Sequence, residues 1–234
     1  TEVLLAMLDE AGAKGTFLTI GWLAERYPRL IRRISEQGHE IGCHGYYHQL
    51  VYEQSAAQFR EEIRRCRNIL REVSGQEVLC FRAPGFSIKR QCFWAYPILV
   101  EEGIRIDVSI VPALRDHGGV ENFSPDPFLL QTESGMLQVF PVSVMKFLGR
   151  TMPFSGGGYL RLFPLPLIKY GIRQNHHVQR AVMTYIHPRE INPDQPRLPL
   201  PLKKRFKYYI GLNSTQRKLQ YLLRHYGFGT VSQV

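Results

Sequence analysis

Three histidines stand close together in the segment HEIGCHGYYH, residues 39–48, and two of them, His44 and His48, are four residues apart. The preceding residues 40–43 read as a short strand, which places His44 near its carboxyl end. That end of a strand is where α/β folds carry their chemistry. If the chain turns helically there, the two imidazoles come together, and imidazole nitrogen suits a zinc-type ion. Catalytic zinc usually takes three protein ligands, so two histidines alone form an incomplete site. The alternative is that both histidines make only local hydrogen bonds.

Other polar residues come at the ends of predicted strands. Arg82 precedes a Pro-Gly turn in FRAPGFS, Asp107 lies in the strand IDVS, and His187 ends a strand in YIHP. Taken singly, each has an ordinary explanation, as a surface ion pair, a strand-edge charge or a hydrogen-bonded loop residue. Their common position at the carboxyl ends of successive strands favours a shared site with the histidine pair.

Helix and strand patterns alternate around these residues, which favours a mainly parallel sheet or barrel. Helices are predicted over residues 2–11, 23–38, 56–74 and 93–102. The longest has Ser55 as its N-cap and Gly75 just beyond its end. Strands are predicted over residues 15–20, 40–43, 78–82, 104–110, 137–142 and 181–186. Residues 112–127, rich in Gly, Pro and Asp, are predicted to form a long loop, and loops of that length are often functional.

The composition limits the class of protein. At 234 residues and 44% hydrophobic content, the chain can bury a sizeable core, and one domain is favoured. We expect no membrane span, because no apolar run reaches about 18 residues, and no secretion signal, because the N-terminus shows no basic segment followed by an apolar stretch and a small-residue cleavage site. Four cysteines, Cys43, Cys66, Cys80 and Cys92, occur singly. This predicts reduced structural thiols in a cytoplasmic protein, with a periplasmic or membrane-associated protein as the alternative.

The net charge of +10 calls for an anionic partner or a solvated basic surface. Most basic residues lie along the predicted helices and do not alternate with aromatic residues, which argues against a nucleic-acid partner. The exception is PLKKRFKYYIGL, residues 201–212, which is predicted to be a surface helix or loop that faces anions or a membrane surface.

The segments GTFLTIG, GHEIGCHGYYH, FRAPGFS, IDVSIVP and YIHP, in this order, resemble the polysaccharide deacetylases with the NodB homology domain, carbohydrate esterase family 4. GGGYLRLFP and HPREINPDQPRLP are similar to a subgroup found in exopolysaccharide gene clusters. The resemblance extends from about Ala11 to Val234. It implies an α/β fold, a distorted (β/α) barrel of about seven strands whose N-terminal strand is missing from this chain. It also implies a single domain over residues 1–234, with a subgroup-specific extension within residues 150–234.

The implied activity is that of a metal-dependent hydrolase that removes N-acetyl groups from N-acetylhexosamine units of a polysaccharide. By resemblance, His44 and His48 are metal ligands, Arg82 orients the catalytic base, and His187 is the general acid. Asp107 is expected to hold or tune His187. Imidazole titrates near working pH, and a nearby carboxylate favours its protonated form.

The resemblance also implies the binding residues and the cofactor. A backbone N–H near Gly85 is expected to bind the oxyanion, although the family often has an aromatic residue there, and Phe86 and Tyr159 are expected to contact substrate. His39 is expected to be structural. The cofactor is a divalent metal, with Zn²⁺ as the expected ion. The family's first motif, an Asp-containing strand that supplies the base and a third metal ligand, precedes the helix with which this sequence begins, so that ligand is expected upstream of Thr1.

Two other classes of function stay open. An inactive relative that binds carbohydrate would agree with the missing base, and an amidase of a small cyclic amide would agree with the barrel. Aromatic residues along an open groove would favour sugar rings, whereas a closed pocket would favour a small ring. SGGGYL lacks the Lys-Ser/Thr pair of a phosphate-binding loop. The expected partner is a polysaccharide substrate, with a peripheral membrane surface or exopolysaccharide assembly machinery as a second class of partner.

Overall fold

The computed structural model describes residues 1–113 and 118–233, so part of the predicted loop over residues 112–127 lies outside the described residues. The chain forms two compact units. The sheet unit comprises Lys14–Val142 and Gly229–Val234, and the C-terminal unit comprises Ser143–Phe228 with Thr1–Ala13. The single domain expected over residues 1–234 stays a prediction.

The sheet unit is built on a six-stranded sheet. Its strands are β1 (Thr16–Thr19), β2 (Glu40–Cys43), β3 (Cys80–Phe81), β4 (Ile106–Asp107), β5 (Phe128–Thr132) and β6 (Gly135–Val139). They lie in the order β1-β2-β3-β4-β6-β5, and all neighbours pair in parallel except β5 and β6, which form an antiparallel hairpin. Because parallel strands present their carboxyl ends at one edge, the residues that follow β2, β3 and β4 are neighbours.

Helices connect these strands. The first five helices of the chain are α1 (Glu2–Glu10), α2 (Gly21–Arg26), α3 (Pro28–Glu36), α4 (Ala56–Ser74) and α5 (Ala95–Glu101). The predicted caps of α4 are confirmed: Ser55 and Gln58 form a capping box, and Gly75 has a left-handed φ of 70°. The single helix expected over residues 23–38 is wrong. Pro28 lacks an N–H and pushes Tyr27 out of the helical region, so two helices form there.

The core of the sheet unit is formed by the sheet and the faces of its helices. Fully buried apolar side chains include Ile41, Phe59, Ile63, Leu70, Phe81, Leu99, Ile104 and Leu137. All four cysteines are buried and free. Burial raises the pKa of the Cys66 and Cys80 thiols well above the ordinary value, which makes them structural apolar residues rather than nucleophiles.

The C-terminal unit combines a hairpin with helices. The hairpin pairs β7 (Val144–Phe147) with β8 (Arg150–Pro153), and the helices that follow are α6 (Gly157–Leu162), α7 (Leu165–His177), α8 (Leu202–Tyr209) and α9 (Leu212–His225). Its core cluster consists of Met145, Phe154, Leu160, Ile168, Ile172 and Leu222. Within the described part of the chain, no helix is both long and apolar enough to cross a membrane.

Strands were predicted less accurately in this unit. The strand expected over residues 181–186 is wrong, because Tyr185 makes only a single parallel bridge with Gly156. The Met183 N–H donates to Ser143 Oγ (2.8 Å) and the Met183 carbonyl accepts from Ser155 Oγ (2.6 Å). Side-chain hydroxyls therefore take hydrogen bonds that a neighbouring strand would have made. The hairpin strands β7 and β8 of this unit were not predicted, and neither was β5 of the sheet unit.

Candidate functional site

The histidine pair lies just after β2, and the structure brings its two rings together. The His44 N–H donates to the Thr19 carbonyl (3.0 Å), and His44 Nδ1 lies 2.6 Å from the Arg82 carbonyl oxygen. The His44 and His48 ring centroids are 4.9 Å apart, with the ring planes at 80°. His44 is buried and His48 is exposed. The turn therefore presents two imidazoles at the carboxyl edge of the sheet.

Glu62 of α4 holds this turn in place, which the sequence analysis missed. Its carboxylate accepts the N–H groups of Tyr46 (2.8 Å) and Tyr47 (3.2 Å), the residues between the two histidines. A signal was available in the helical spacing. Glu62 lies three residues after Phe59 and four before Cys66, both buried, so it faces inward, where a carboxylate needs partners.

The start of α2 supports the same turn from another side. The Gly21 N–H donates to the Gly45 carbonyl (3.0 Å), and the Trp22 N–H donates to the Tyr46 carbonyl (3.2 Å). These donors belong to the first turn of a helix and have no partner within it. The turn thus ties up both its N–H and its carbonyl groups in the surrounding scaffold.

Two bulky residues here adopt left-handed backbone conformations. His48 has a φ of 63° and Phe86 a φ of 58°. Such conformations cost roughly 1–3 kcal/mol in a residue with a β-carbon and concentrate at functional sites. Two of them in adjoining loops at one sheet edge support a functional role for this edge.

Arg82 follows β3 and is largely buried. Its N–H donates to the Cys43 carbonyl (3.1 Å), and its guanidinium carbon lies 5.4 Å from the centroid of the Phe86 ring. Gly85 is exposed with a φ of 61°, and the N–H groups of Phe86 and Ser87 donate to the carbonyls of Ala83 and Pro84. Arg82, Gly85 and Phe86 therefore share one tight turn beside the histidine pair.

Asp107 lies on β4 and is completely buried. Its carboxylate accepts from Ser109 Oγ (2.5 Å) and from the Ser109 N–H (3.1 Å). Burial raises the pKa of Asp107 to about 7, and the hydrogen bonds from Ser109 oppose that rise. Ser109 Oγ also accepts the Ala83 N–H (2.7 Å), so Asp107 supports the Arg82 turn through Ser109. Its expected role toward His187 stays a prediction.

His187 lies in the C-terminal unit, immediately before a short 3₁₀ helix over Pro188–Ile191. Its side chain is 47% exposed. Both its N–H (2.9 Å) and its ring Nδ1 (3.3 Å) lie next to one carboxylate oxygen of Glu190. The other oxygen accepts from Arg161 Nε (3.0 Å). Within this unit, the carboxylate that holds His187 is therefore Glu190.

Glu190 is 1% exposed and is held as an anion by its neighbours. Burial alone would raise the pKa of Glu190, but the hydrogen bonds from His187 and the charge of Arg161 lower it below the ordinary value. The contact between His187 and Glu190 was not predicted, although the sequence HPRE carries a signal for it. A capping box pairs an N-cap residue, usually Ser or Thr, with a Glu or Gln three positions later, and here His187 takes the N-cap position opposite Glu190.

The glycine-rich segment of this unit serves packing. A β-carbon on Gly156 would lie 2.2 Å from Cδ1 of Tyr185, so only glycine permits the ring to approach. Tyr159 is half-buried in α6, with its ring centroid 5.7 Å from that of Phe163. Of the aromatic residues in the motifs GHEIGCHGYYH and FRAPGFS that could line a sugar groove, Tyr47 is exposed whereas Tyr46 and Phe86 are buried.

The histidine pair fits two positions of a zinc-type site. A metal-binding histidine typically makes a hydrogen bond through its other ring nitrogen, as His44 Nδ1 does with the Arg82 carbonyl. Among residues 1–113 and 118–233, no group of three or more His, Cys, Asp or Glu side chains is placed to hold a metal ion. The donor set found in the described residues is therefore two imidazoles.

Comparison with known families identifies the chain. Residues 1–96 match the family model described as polysaccharide deacetylase, and residues 108–234 match the one described as domain of unknown function DUF3473. The chain belongs to the DUF3473 family, whose model matches more than half of it, and its first 96 residues carry a polysaccharide deacetylase match. The resemblance read from the motifs is confirmed.

A curated relative of this chain is the peptidoglycan-N-acetylglucosamine deacetylase of Bacillus cereus. It is 31% identical over 96 residues, which are 41% of this chain and 35% of the relative. The chain therefore spans about a third of the length of that relative. The polysaccharide deacetylase match over residues 1–96 contains the histidine pair and the Arg82 turn and does not extend to His187.

Solved structures match along nearly the whole chain. A putative polysaccharide deacetylase from Mycobacterium smegmatis has a TM-score of 0.65 and 22% identity, covering 99% of this chain and 74% of that one. A carbohydrate esterase family 4 pseudoenzyme from Bacillus anthracis has a TM-score of 0.55 and 12% identity, covering 99% and 59%. These likenesses concern the fold. The predicted fold class, α/β of the distorted (β/α) barrel type, is confirmed.

Proposed function

We propose that this chain hydrolyses N-acetyl groups on hexosamine units of a glycan, with a divalent metal as cofactor. The observation that carries the proposal is the imidazole pair His44 and His48, fixed on the carboxyl edge of the sheet in a matched deacetylase region. The named activity of the Bacillus cereus relative supports the N-acetylated glycan as the substrate class.

Each candidate residue has a separate role in amide hydrolysis. His44 and His48 would hold the metal, which supplies a Lewis acid and a water of lowered pKa when bound. Arg82, largely buried under the turn, orients the carboxylate base that the family's first motif provides. The Gly85 N–H is the donor we assign to the oxyanion, because the N–H groups of Phe86 and Ser87 are already bonded within the turn.

Protonation of the departing amine is assigned to His187. Its Nδ1 faces Glu190, which leaves Nε2 as the nitrogen that exchanges a proton with substrate. The half-exposed side chain is accessible to a glycan, whereas Asp107 and Glu190 are buried. We therefore propose Glu190 as the positioning residue for this general acid.

The test measures acetate release from chitin oligosaccharides and from peptidoglycan fragments by the natural protein, with zinc content determined in parallel. We expect release that stops when zinc is removed by a chelator and returns when zinc is added. The variant His44→Ala should lose both zinc and activity. A folded, zinc-loaded protein that releases no acetate from either substrate contradicts the proposal.

A second candidate is a carbohydrate-binding protein without hydrolytic activity. The observation that favours it is the two-imidazole donor set of the described residues, which leaves a catalytic zinc site one protein ligand short. The same experiment separates the two candidates, because this one predicts glycan binding by calorimetry with no acetate released at any zinc concentration.

A further inference from the structure

The charge of the chain is unevenly distributed along its length. Residues 1–142 carry fifteen Lys and Arg against eighteen Asp and Glu, whereas residues 143–234 carry fifteen against two. Of those two, Glu190 is buried against Arg161, so Asp194 is the acidic residue of this part that is exposed. From residue 195 to the end, the sequence has eight basic residues and no acidic one. The positive charge is therefore concentrated in the second part of the sequence.

Helix α8 combines this charge with exposed apolar side chains. Leu202 and Phe206, one helical turn apart and therefore on the same face, are 83% and 58% exposed. Lys204 and Lys207, both exposed, project from the opposite side at helical spacing. Full burial of a Leu or a Phe side chain is worth roughly 1.5–3 kcal/mol, a gain that this helix leaves unused.

The helix is anchored from its carboxyl end. Arg161 donates to the carbonyls of Lys207 (3.0 Å), Tyr208 (2.8 Å) and Ile210 (3.3 Å), which end the helix. The Arg189 guanidinium lies 4.4 Å from the centroid of the Tyr208 ring. These contacts fix the carboxyl end of α8. Leu202 and Phe206 are therefore exposed on an anchored helix rather than on a frayed one.

We propose that α8 is a membrane-surface docking helix that binds anionic lipid headgroups. Its basic residues complement the negative surface potential of such a bilayer, and Leu202 and Phe206 enter the boundary between headgroups and acyl chains. Helices that lie in the plane of a membrane interface show this combination of a basic side and a Leu or Phe side. The docking function is independent of the proposed deacetylation.

An anionic polysaccharide is the competing partner, and the apolar side chains decide between the two. Lysines alone would serve either polyanion. A sugar polymer offers no apolar phase to an exposed leucine, whereas the acyl boundary of a bilayer does. Leu198, in the segment that precedes α8, is a further exposed apolar residue (55%), and its N–H donates to the Tyr209 hydroxyl (2.8 Å).

The test is co-sedimentation of the chain with vesicles of equal parts phosphatidylglycerol and phosphatidylcholine, compared with vesicles of phosphatidylcholine alone. We expect binding to the anionic vesicles that weakens steeply with added salt. The double variant Leu202→Ser and Phe206→Ser, which keeps every charge, should weaken binding about tenfold or more. The double variant Lys204→Gln and Lys207→Gln should weaken it about fivefold per charge.

Matched controls remove comparable groups elsewhere. Leu129→Ser with Met136→Ser removes two exposed apolar side chains from β5 and β6, and Lys146→Gln with Arg150→Gln removes two exposed charges from the β7-β8 hairpin. Both should bind vesicles like the wild type. In addition, Phe206→Trp should show a blue-shifted emission on binding, because the indole leaves water.

Three results would overturn the proposal. The first is vesicle binding by the Leu202/Phe206 variant that equals wild type. The second is equal binding to neutral and anionic vesicles. The third is that the Leu202/Phe206 variant keeps its full binding both to soluble alginate and to vesicles, which would assign α8 to polysaccharide.

Discussion

The carboxylate of Glu190 lies 3.3 Å from Nδ1 of His187 while its other oxygen accepts from Arg161. The contact joins an exposed imidazole to a buried ion pair. Because a carboxylate on one ring nitrogen fixes the tautomer and orientation of a histidine, the geometry prepares Nε2 for proton transfer. It also makes the roles of Glu190 and His187 separable by experiment.

Replacement of His187 should affect chemistry rather than metal binding. A general acid contributes about 10²- to 10⁴-fold in rate, so His187→Ala should lower kcat by that order with zinc content unchanged. Glu190→Gln should lower kcat less, because the ring remains. If Glu190 acts through His187, adding Glu190→Gln to His187→Ala should lower kcat no further. Additive losses in the double variant, or zinc loss in His187→Ala, would contradict these roles.

The buried Arg161–Glu190 pair should be important for stability. Arg161→Met leaves the buried Glu190 carboxylate without its guanidinium partner and should lower the free energy of unfolding by about 3–5 kcal/mol, measured by urea denaturation. The double variant Arg161→Met with Glu190→Met removes the carboxylate as well and should recover part of this loss. Recovery should be incomplete, because the carbonyls of Lys207 and Tyr208 still lack their donor. Full recovery would show that Arg161 does not stabilise the end of α8.

Much of this site was predictable from the sequence because its signals are local. The strand before His44, the Pro-Gly turn after Arg82 and the caps of α4 all depend on neighbouring residues, and the structure has them as expected. The supporting contacts were less predictable because they join residues far apart. Glu62 reaches Tyr46 across sixteen positions, and Ser109 reaches Ala83 across twenty-six. The strand at residues 181–186 failed for the same reason, since hydroxyls of distant serines occupy its backbone.

Removal of the Glu62 carboxylate should weaken metal binding without unfolding the chain. In Glu62→Ala the N–H groups of Tyr46 and Tyr47 lose their acceptor, and the turn that spaces His44 and His48 loosens. Residues that orient metal ligands typically contribute about 10- to 100-fold in affinity. We expect a loss in that range by calorimetric titration with zinc, with the far-UV circular dichroism unchanged. Glu61→Ala, an exposed neighbour on the same helix, is the control, and equal zinc affinity in the two variants would contradict the role of Glu62.

Asp107 should make stability depend on pH in the opposite direction from an ordinary carboxylate. Burial raises its pKa to about 7, whereas a carboxyl in the unfolded chain titrates near 4. Between these values the folded chain holds a proton that the unfolded chain has lost, so the free energy of unfolding falls as pH rises. The difference of about three pKa units corresponds to about 4 kcal/mol, fully lost above pH ~7.

The variant Asp107→Asn cannot ionise, which isolates this contribution. Urea denaturation from pH ~4 to ~8 should show Asp107→Asn gaining stability relative to wild type by about that amount as pH rises. Asp194→Asn, which changes an exposed carboxylate, should show no comparable trend. The Asp107→Asn variant also tests the contact between Asp107 and Ser109. If Asp107 carries its charge at low pH in the folded chain, the difference between wild type and Asp107→Asn will be flat across the range, and the buried carboxylate will be a permanent anion held by Ser109 alone.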